Sequence, residues 1–305
     1  MSISNFPNGV SSFGVPLFGG GPIWKPYGKV WFVNGGAGGL ASGGSGTKER
    51  PFSTMDAAFD RLGSGDTIVF KGNIREELTT PAGIFDVTII GAANQPRHAD
   101  AHTTNNGYAA ATWKTPASPT AATPLLIIQQ QGWKLMNILF DGPSDAAAVQ
   151  IFRDGGADDA ERDGSHAHIC GCKFVAGQNH IEFKGGPSQI VLEQNLFFGA
   201  TADSILDTVG AGIGTDNYFR IMHNHWHNNE SHLDAPLNYA SIIGNIFGKK
   251  TTDGINLGGG SENVVGGNYL YGTYSIAGGY TAGTNDEWGG NFNSLSGGVT
   301  AADPA

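Results

Sequence analysis

Leu135-Met136-Asn137-Ile138-Leu139-Phe140 decides the fold, because its pattern returns five more times along the chain. The other copies are Ile169 to Phe174, Leu192 to Phe197, Ile221 to Trp226, Ile242 to Phe247 and Val265 to Leu270. Their first column reads Leu, Ile, Leu, Ile, Ile, Val and their last Phe, Phe, Phe, Trp, Phe, Leu. Successive copies start 34, 23, 29, 21 and 23 residues apart. Self-similarity at twenty-odd residues marks a solenoid, in which each repeat buries its apolar side only by stacking on its neighbours.

The columns also distinguish between solenoids. Two residues ahead of the aliphatic position stand Trp133, Ala167, Ile190, Phe219, Ala240 and Asn263, so most copies alternate inward and outward as a strand does. The alternation then slips by one, at Asn137, Gly171, Gln194, His223, Gly244 and Gly267. Glycine and asparagine reach left-handed backbone angles at least cost, so four of these six positions read as a sharp bend between two short strands. The next column holds Asn195, Asn224, Asn245 and Asn268 in consecutive copies. Stacked inward amides, each bonded to the next, would satisfy those buried polar groups.

With these residues the chain resembles the right-handed parallel β-helix of the pectate-lyase-like superfamily. A second stretch carries the resemblance toward the amino terminus: Gly46-Thr47, then Arg50-Pro51-Phe52-Ser53-Thr54-Met55-Asp56-Ala57-Ala58-Phe59, Gly65-Asp66-Thr67-Ile68-Val69-Phe70 and Gly72-Asn73-Ile74-Arg75-Glu76. It looks like the family's opening, where a short helix precedes the first full coil. Ser53 reads as the N-cap, and Met55, Ala58, Phe59 and Leu62 form an apolar stripe able to plug the open end. Val87 with Ile89-Ile90-Gly91-Ala92-Ala93 fits a further copy. The resemblance implies an all-β fold. Its parts are an extended arm and neck over 1–45, a right-handed parallel β-helix over 46–295 with its capping helix, and a tail over 296–305. It implies no single activity, because the superfamily hosts lyases, hydrolases, isomerases and inert scaffolds.

Composition narrows the partners. Forty-eight glycines without a triplet period fit many tight bends. The net charge is -10, and no Lys/Arg cluster exceeds Lys249-Lys250, which argues against nucleic acid. Cys170 and Cys172 flank the bend at Gly171, so one points outward and the other inward, and both are expected to be thiols. No apolar run approaches the roughly 18 residues of a membrane span. The first 30 residues lack the basic start and apolar core of a signal peptide, so the expectation is synthesis and assembly in a cytoplasm.

The arm reads differently. Ile3, Phe6, Val10, Phe13, Leu17, Phe18 and Trp24 are spaced by Gly, Pro and Asn, which breaks regular structure yet leaves apolar side chains wanting burial. Such a segment is expected to order on another protein, with folding back on its own solenoid and a disordered leader as alternatives. Val30-Trp31-Phe32-Val33 then reads as a first strand. An apolar arm on a β-helix body resembles phage tailspikes and related virion surface proteins, which are commonly trimers docked through their amino-terminal segments. That resemblance implies a structural protein of a virus particle, a compact decoration or short spike. Its arm would bind capsid or tail proteins and its body could contact host surface polysaccharide, with no cofactor and no membrane insertion. The alternative is a particle-bound polysaccharide depolymerase.

No catalytic motif stands out. Glycoside hydrolysis needs two carboxylates about 5 Å apart for retention or about 6.5 to 9.5 Å apart for inversion. Asp203, Asp207 and Asp216 with Glu182 and Glu193 supply carboxyls without a marked pair. Lyases of the superfamily add an Arg or Lys base, for which Lys173, Lys184, Arg220, Lys249 and Lys250 are available. The acidic run from Asp154 to Gly164 misses the EF-hand spacing and reads as an exposed loop, with a Ca²⁺ site as the competing reading. His223, His225, His227 and His232 read as a surface or inter-subunit patch, Zn²⁺ or a catalytic histidine competing. No metal site is assigned from the sequence.

Overall fold

The structure of the protein, a computed structural model, describes residues 28–36, 44–92, 111–154, 162–208, 218–273, 275, 278–294 and 304, and the backbone of 10–12 and 15–18. The chain winds as a right-handed parallel β-helix. Each coil visits three strand faces: an 18-stranded sheet covers the first two, and an 8-stranded sheet forms the third. In one full coil Val191–Glu193 lies on the first face, Leu196–Phe198 on the second and Asp203–Asp207 on the third. Every strand of the solenoid pairs in parallel with its counterpart one coil away, as Leu192 does with Ile169 and Ile221.

The repeat columns become interior rows. Ile89, Leu135, Ile169, Leu192, Ile221, Ile242 and Val265 stand in register and are fully buried. Opposite them, Trp113, Phe140, Phe174, Phe197, Trp226 and Phe247 stack with successive ring centroids 6.0, 4.9, 5.1, 4.8 and 4.6 Å apart. Each such contact contributes about 0.5 to 1.5 kcal/mol beyond the area it buries. A further copy, Trp288 to Asn293, joins the end of both rows; its tryptophan and asparagine obscure the pattern in the sequence.

All six positions at the slip are left-handed, with φ of 55° at Asn137, 64° at Gly171, 55° at Gln194, 55° at His223, 66° at Gly244 and 63° at Gly267. Gln194 and His223 join the four expected bends because the residue that follows each one is locked into an amide ladder. The Asn195 backbone N–H and Nδ2 donate to Asn224 Oδ1 at 2.9 and 3.0 Å, and the same Nδ2 donates to the Ile169 carbonyl at 2.9 Å. Asn224 repeats this toward Asn245 and the Leu192 carbonyl. Asn245, Asn268 and Asn291 continue the chain, and the backbone N–H of Cys172 heads it. At Gly91 the reading differs, because that residue ends the strand Thr88–Gly91 instead of bending. A Cβ there would run into the Asn137 carbonyl, so this glycine serves close approach between coils.

The amino-terminal cap is a helix, Met55–Phe59, whose N-cap is Thr54 and not Ser53. Thr54 Oγ1 accepts from the Ala57 N–H at 3.3 Å, while the Glu76 carboxylate accepts from the Met55 and Asp56 N–H groups at 3.0 and 2.8 Å. Met55, Ala58 and Phe59 enter the core, and Leu62 packs against it. The solenoid starts ahead of residue 46: Val30–Asn34 pairs in parallel with Thr67 to Lys71, and the Lys29 N–H donates to Asp66. Its alternation buries Val33 against the core, so Val30–Asn34 is the first strand that the sequence led one to expect and belongs to the first face. Of the arm, Val10–Ser12 and Val15–Phe18 form a two-stranded antiparallel ribbon, a departure from a fully extended arm. Ile3, Phe6, Phe13 and Trp24 lie outside the described residues, as does 296–305 apart from Pro304.

The ladder yields a test. Replacing Asn224 with Ala strands the Asn195 N–H and one Asn195 amide hydrogen in the interior and takes a donor from the Leu192 carbonyl. At about 1 to 3 kcal/mol for each buried unsatisfied group, the variant should lose about 3 kcal/mol or more by denaturant unfolding. A loss below about 1 kcal/mol would show that the ladder is dispensable.

Candidate functional site

The third face alternates as a strand should, burying Ile181, Ile205, Leu233 and Ile255 in one row. Register places Gln150, Glu182, Leu206, Asp234, Asn256 and Thr281 in the adjoining outward row. Polar members bond from coil to coil. Gln150 Nε2 donates to Glu182 at 2.6 Å, the Thr208 hydroxyl to the other Glu182 oxygen at 2.8 Å, and Asn256 Nδ2 to Asp234 at 2.9 Å.

Beside this row the carboxylates crowd. Burial pushes the Asp203 carboxyl above the usual range, and the charges of Glu230 and Asp253 push it further, against a hydrogen bond from Ser231. Asp234 is raised likewise by burial, then by Asp203 and Asp253. Lys250 faces Asp253 but is turned away from neutralising the group. Its ammonium donates to the Thr252 and Gly278 carbonyls at 2.8 and 2.5 Å, lies 5.1 Å from the centre of the Tyr280 ring, and is itself pushed down by burial. Chemically, the arrangement is an acidic surface on which Asp203 and Asp234 hold a proton more readily than an exposed carboxyl does.

Of the carboxylates proposed from sequence, the structure brings Glu182, Asp203 and Asp207 to one face. Glu193 lies on the first face beside His168, and Asp216 is outside the described residues. Glu230, Asp234 and Asp253 were missed. The signal available was the recurrence of Asp203, Glu230 and Asp253 at the coil period at or just ahead of a third-face strand, blurred by variable loop lengths. The candidate bases also scatter: Arg220 is on the first face, and Lys173 is buried on the second.

The histidine run divides between two environments. His225 and His227 share the outward side of the second face, ring centroids 6.3 Å apart, while His223 occupies a bend. His232 is interior, receiving from Asn229 at 3.1 Å and donating to the Gly248 carbonyl at 2.9 Å. Burial lowers it to about 3, as it does the interior His180, so both are neutral structural groups. In the acidic run, 155–161 lies outside the described residues; Asp163 closes its base by accepting from the Ser165 N–H at 2.9 Å and Gln131 at 2.7 Å. Cys172 is buried and Cys170 half-buried, and neither is in a disulfide.

No family model and no curated protein matches the chain. Two solved structures are similar to it. One is the pectate lyase Pel9A, 11% identical with a TM-score of 0.42, covering 91% of this chain and 78% of that one. The other is the pectin methylesterase from Aspergillus niger, 15% identical with a TM-score of 0.39, covering 90% and 91%. Their likeness concerns the fold.

The raised carboxyls set a pH-dependent test. Because their folded pKa lies above the unfolded one, the native state is penalised at neutral pH and relieved as the pH falls through the folded value. Asp203→Asn and Asp234→Asn should therefore each raise the melting temperature at pH 7, the gain shrinking toward about pH 4. A gain that is absent at pH 7, or independent of pH, would refute the electrostatic coupling.

Proposed function

We propose that this chain is a structural protein on the surface of a virus particle, a β-helix decoration or short spike held by its amino-terminal arm and presenting its body to the surroundings. The observation that supports the reading is the division of the chain at about residue 28. From Gly28 onward every described strand belongs to a closed, helix-capped solenoid, whereas Val10–Ser12 and Val15–Phe18 pair only with each other in a separate sheet. The solenoid thus supplies its own cap in the helix Met55–Phe59, which supports assigning the arm to a capsid or tail protein. Ile246, Tyr269 and Phe292, exposed and in register on the second face, offer a surface for association in a homotrimer.

The test is deletion of residues 1–27. The truncated protein should keep the melting temperature of the full chain, since Lys29 and the capping helix remain. Full-length protein should co-sediment with particles lacking it, and the truncated form should stay in the supernatant. Equal incorporation of both forms would remove the arm as anchor and the virion reading with it.

The acidic third face favours a second reading, cleavage of a host polysaccharide by the bound protein, with Asp203 or Asp234 as general acid. Purified protein would then release reducing ends from host surface polysaccharide. Asp203→Asn or Asp234→Asn should cut that turnover by about 10²- to 10⁴-fold with folding preserved. Absence of turnover by the unaltered protein, or variants as active as it, would leave the third face without a catalytic role.

A further inference from the structure

The outward side of the first face carries a group of side chains that neither the arm nor the acidic face uses. His168 and Cys170 stand two apart on the strand His168–Cys170 and so point the same way. Parallel register sets Glu193 directly opposite Cys170 on the next coil. The ligand atoms of all three lie within 4.8 Å of one another, and His168 Nε2 is 2.9 Å from Glu193 Oε1. Each side chain is half-buried, so the group is sheltered yet open to an ion from solvent. We propose that His168, Cys170 and Glu193 bind a Zn²⁺ ion that clamps two neighbouring coils together.

The donor chemistry supports this assignment. Imidazole nitrogen, thiolate sulfur and a carboxylate oxygen together select a borderline-soft ion over Mg²⁺ or Ca²⁺, which prefer all-oxygen shells. Bonds of about 2.0 to 2.3 Å in a tetrahedron place donors about 3.3 to 3.8 Å apart, within reach of small rotations from the present geometry. The surroundings are apolar on the sulfur side, where Cys170 packs against a buried cluster that includes Met136 and Ile90. Met222 stands opposite Glu193 on the following coil. Lys134 and Arg220 flank His168 and oppose a cation. A thiolate and a carboxylate offset the two charges of Zn²⁺, so the loaded site carries no net charge for them to repel. Three protein ligands leave the fourth position to water.

The experiment uses the full chain after chelation and dialysis. Calorimetric titration with ZnCl₂ should show one equivalent bound and a raised melting temperature. Titration with Co²⁺ should show a thiolate-to-cobalt charge-transfer band. His168→Ala, Cys170→Ser and Glu193→Gln should each weaken Zn²⁺ binding by at least about tenfold, with Cys170→Ser also abolishing the band. His225→Ala, on the neighbouring face, should change neither. If a variant fails to fold, alkylation of the unaltered protein decides: Zn²⁺ should protect Cys170 from iodoacetamide, read by mass spectrometry. A missing charge-transfer band, unprotected Cys170, or undiminished affinity in Cys170→Ser would overturn the site.

Discussion

The structure depends on how a buried bend satisfies its own backbone. From Gly171 to Gly267 the chain turns after each first-face strand through a left-handed residue, and the next N–H points along the interior, where water cannot reach it. The asparagine one coil away supplies the acceptor, and its own two amide hydrogens go to the following asparagine and to a backbone carbonyl. A residue that both accepts and donates can propagate such a chain; one that only accepts must end it. A second corner uses the same bonds on the last described coil, where Asn263 donates twice to Asp286 Oδ1 and once to the Leu237 carbonyl.

With the bend secured, the two strands it joins are aimed at fixed angles, and the aliphatic and aromatic rows follow. Stacking in register turns residues some 20 to 35 positions apart into neighbours about 4.8 Å apart. Each surface row is then a sum over coils. On the first face this juxtaposes His168, Cys170 and Glu193; on the third it crowds Asp203, Asp234 and Asp253. The ladder amides of the interior are paired, whereas the third-face carboxylates repel one another. A protein selected for stability alone would have little reason to keep such repulsion, which is why that face is a candidate for contact with a ligand.

Much of the fold was legible because its determinants recur within a coil. The aliphatic and aromatic columns, the bend, the asparagine ladder, the plugging stripe of Met55, Ala58 and Phe59 and the opposed directions of Cys170 and Cys172 all follow from strand alternation and one slip in phase. Local rules erred where a neighbour decided the outcome. Gln194 and His223 adopt left-handed angles that neither favours, because the ladder above and below holds them there. Gly91 looks like a bend and is instead the clearance for Asn137. His232, close in sequence to His225 and His227, turned inward once the chain rounded the corner to the third face.

The sequence by itself determined the class of fold and which side chains of the repeat face the core, since those depend on alternation along a single strand. Only the tertiary structure decided which surface groups meet. Asp203 and Asp234 become partners through the length of the intervening loop and the coil-to-coil register, as do His168 and Glu193. Hydrogen bonds between coils set that register, and no local pattern in the chain records it.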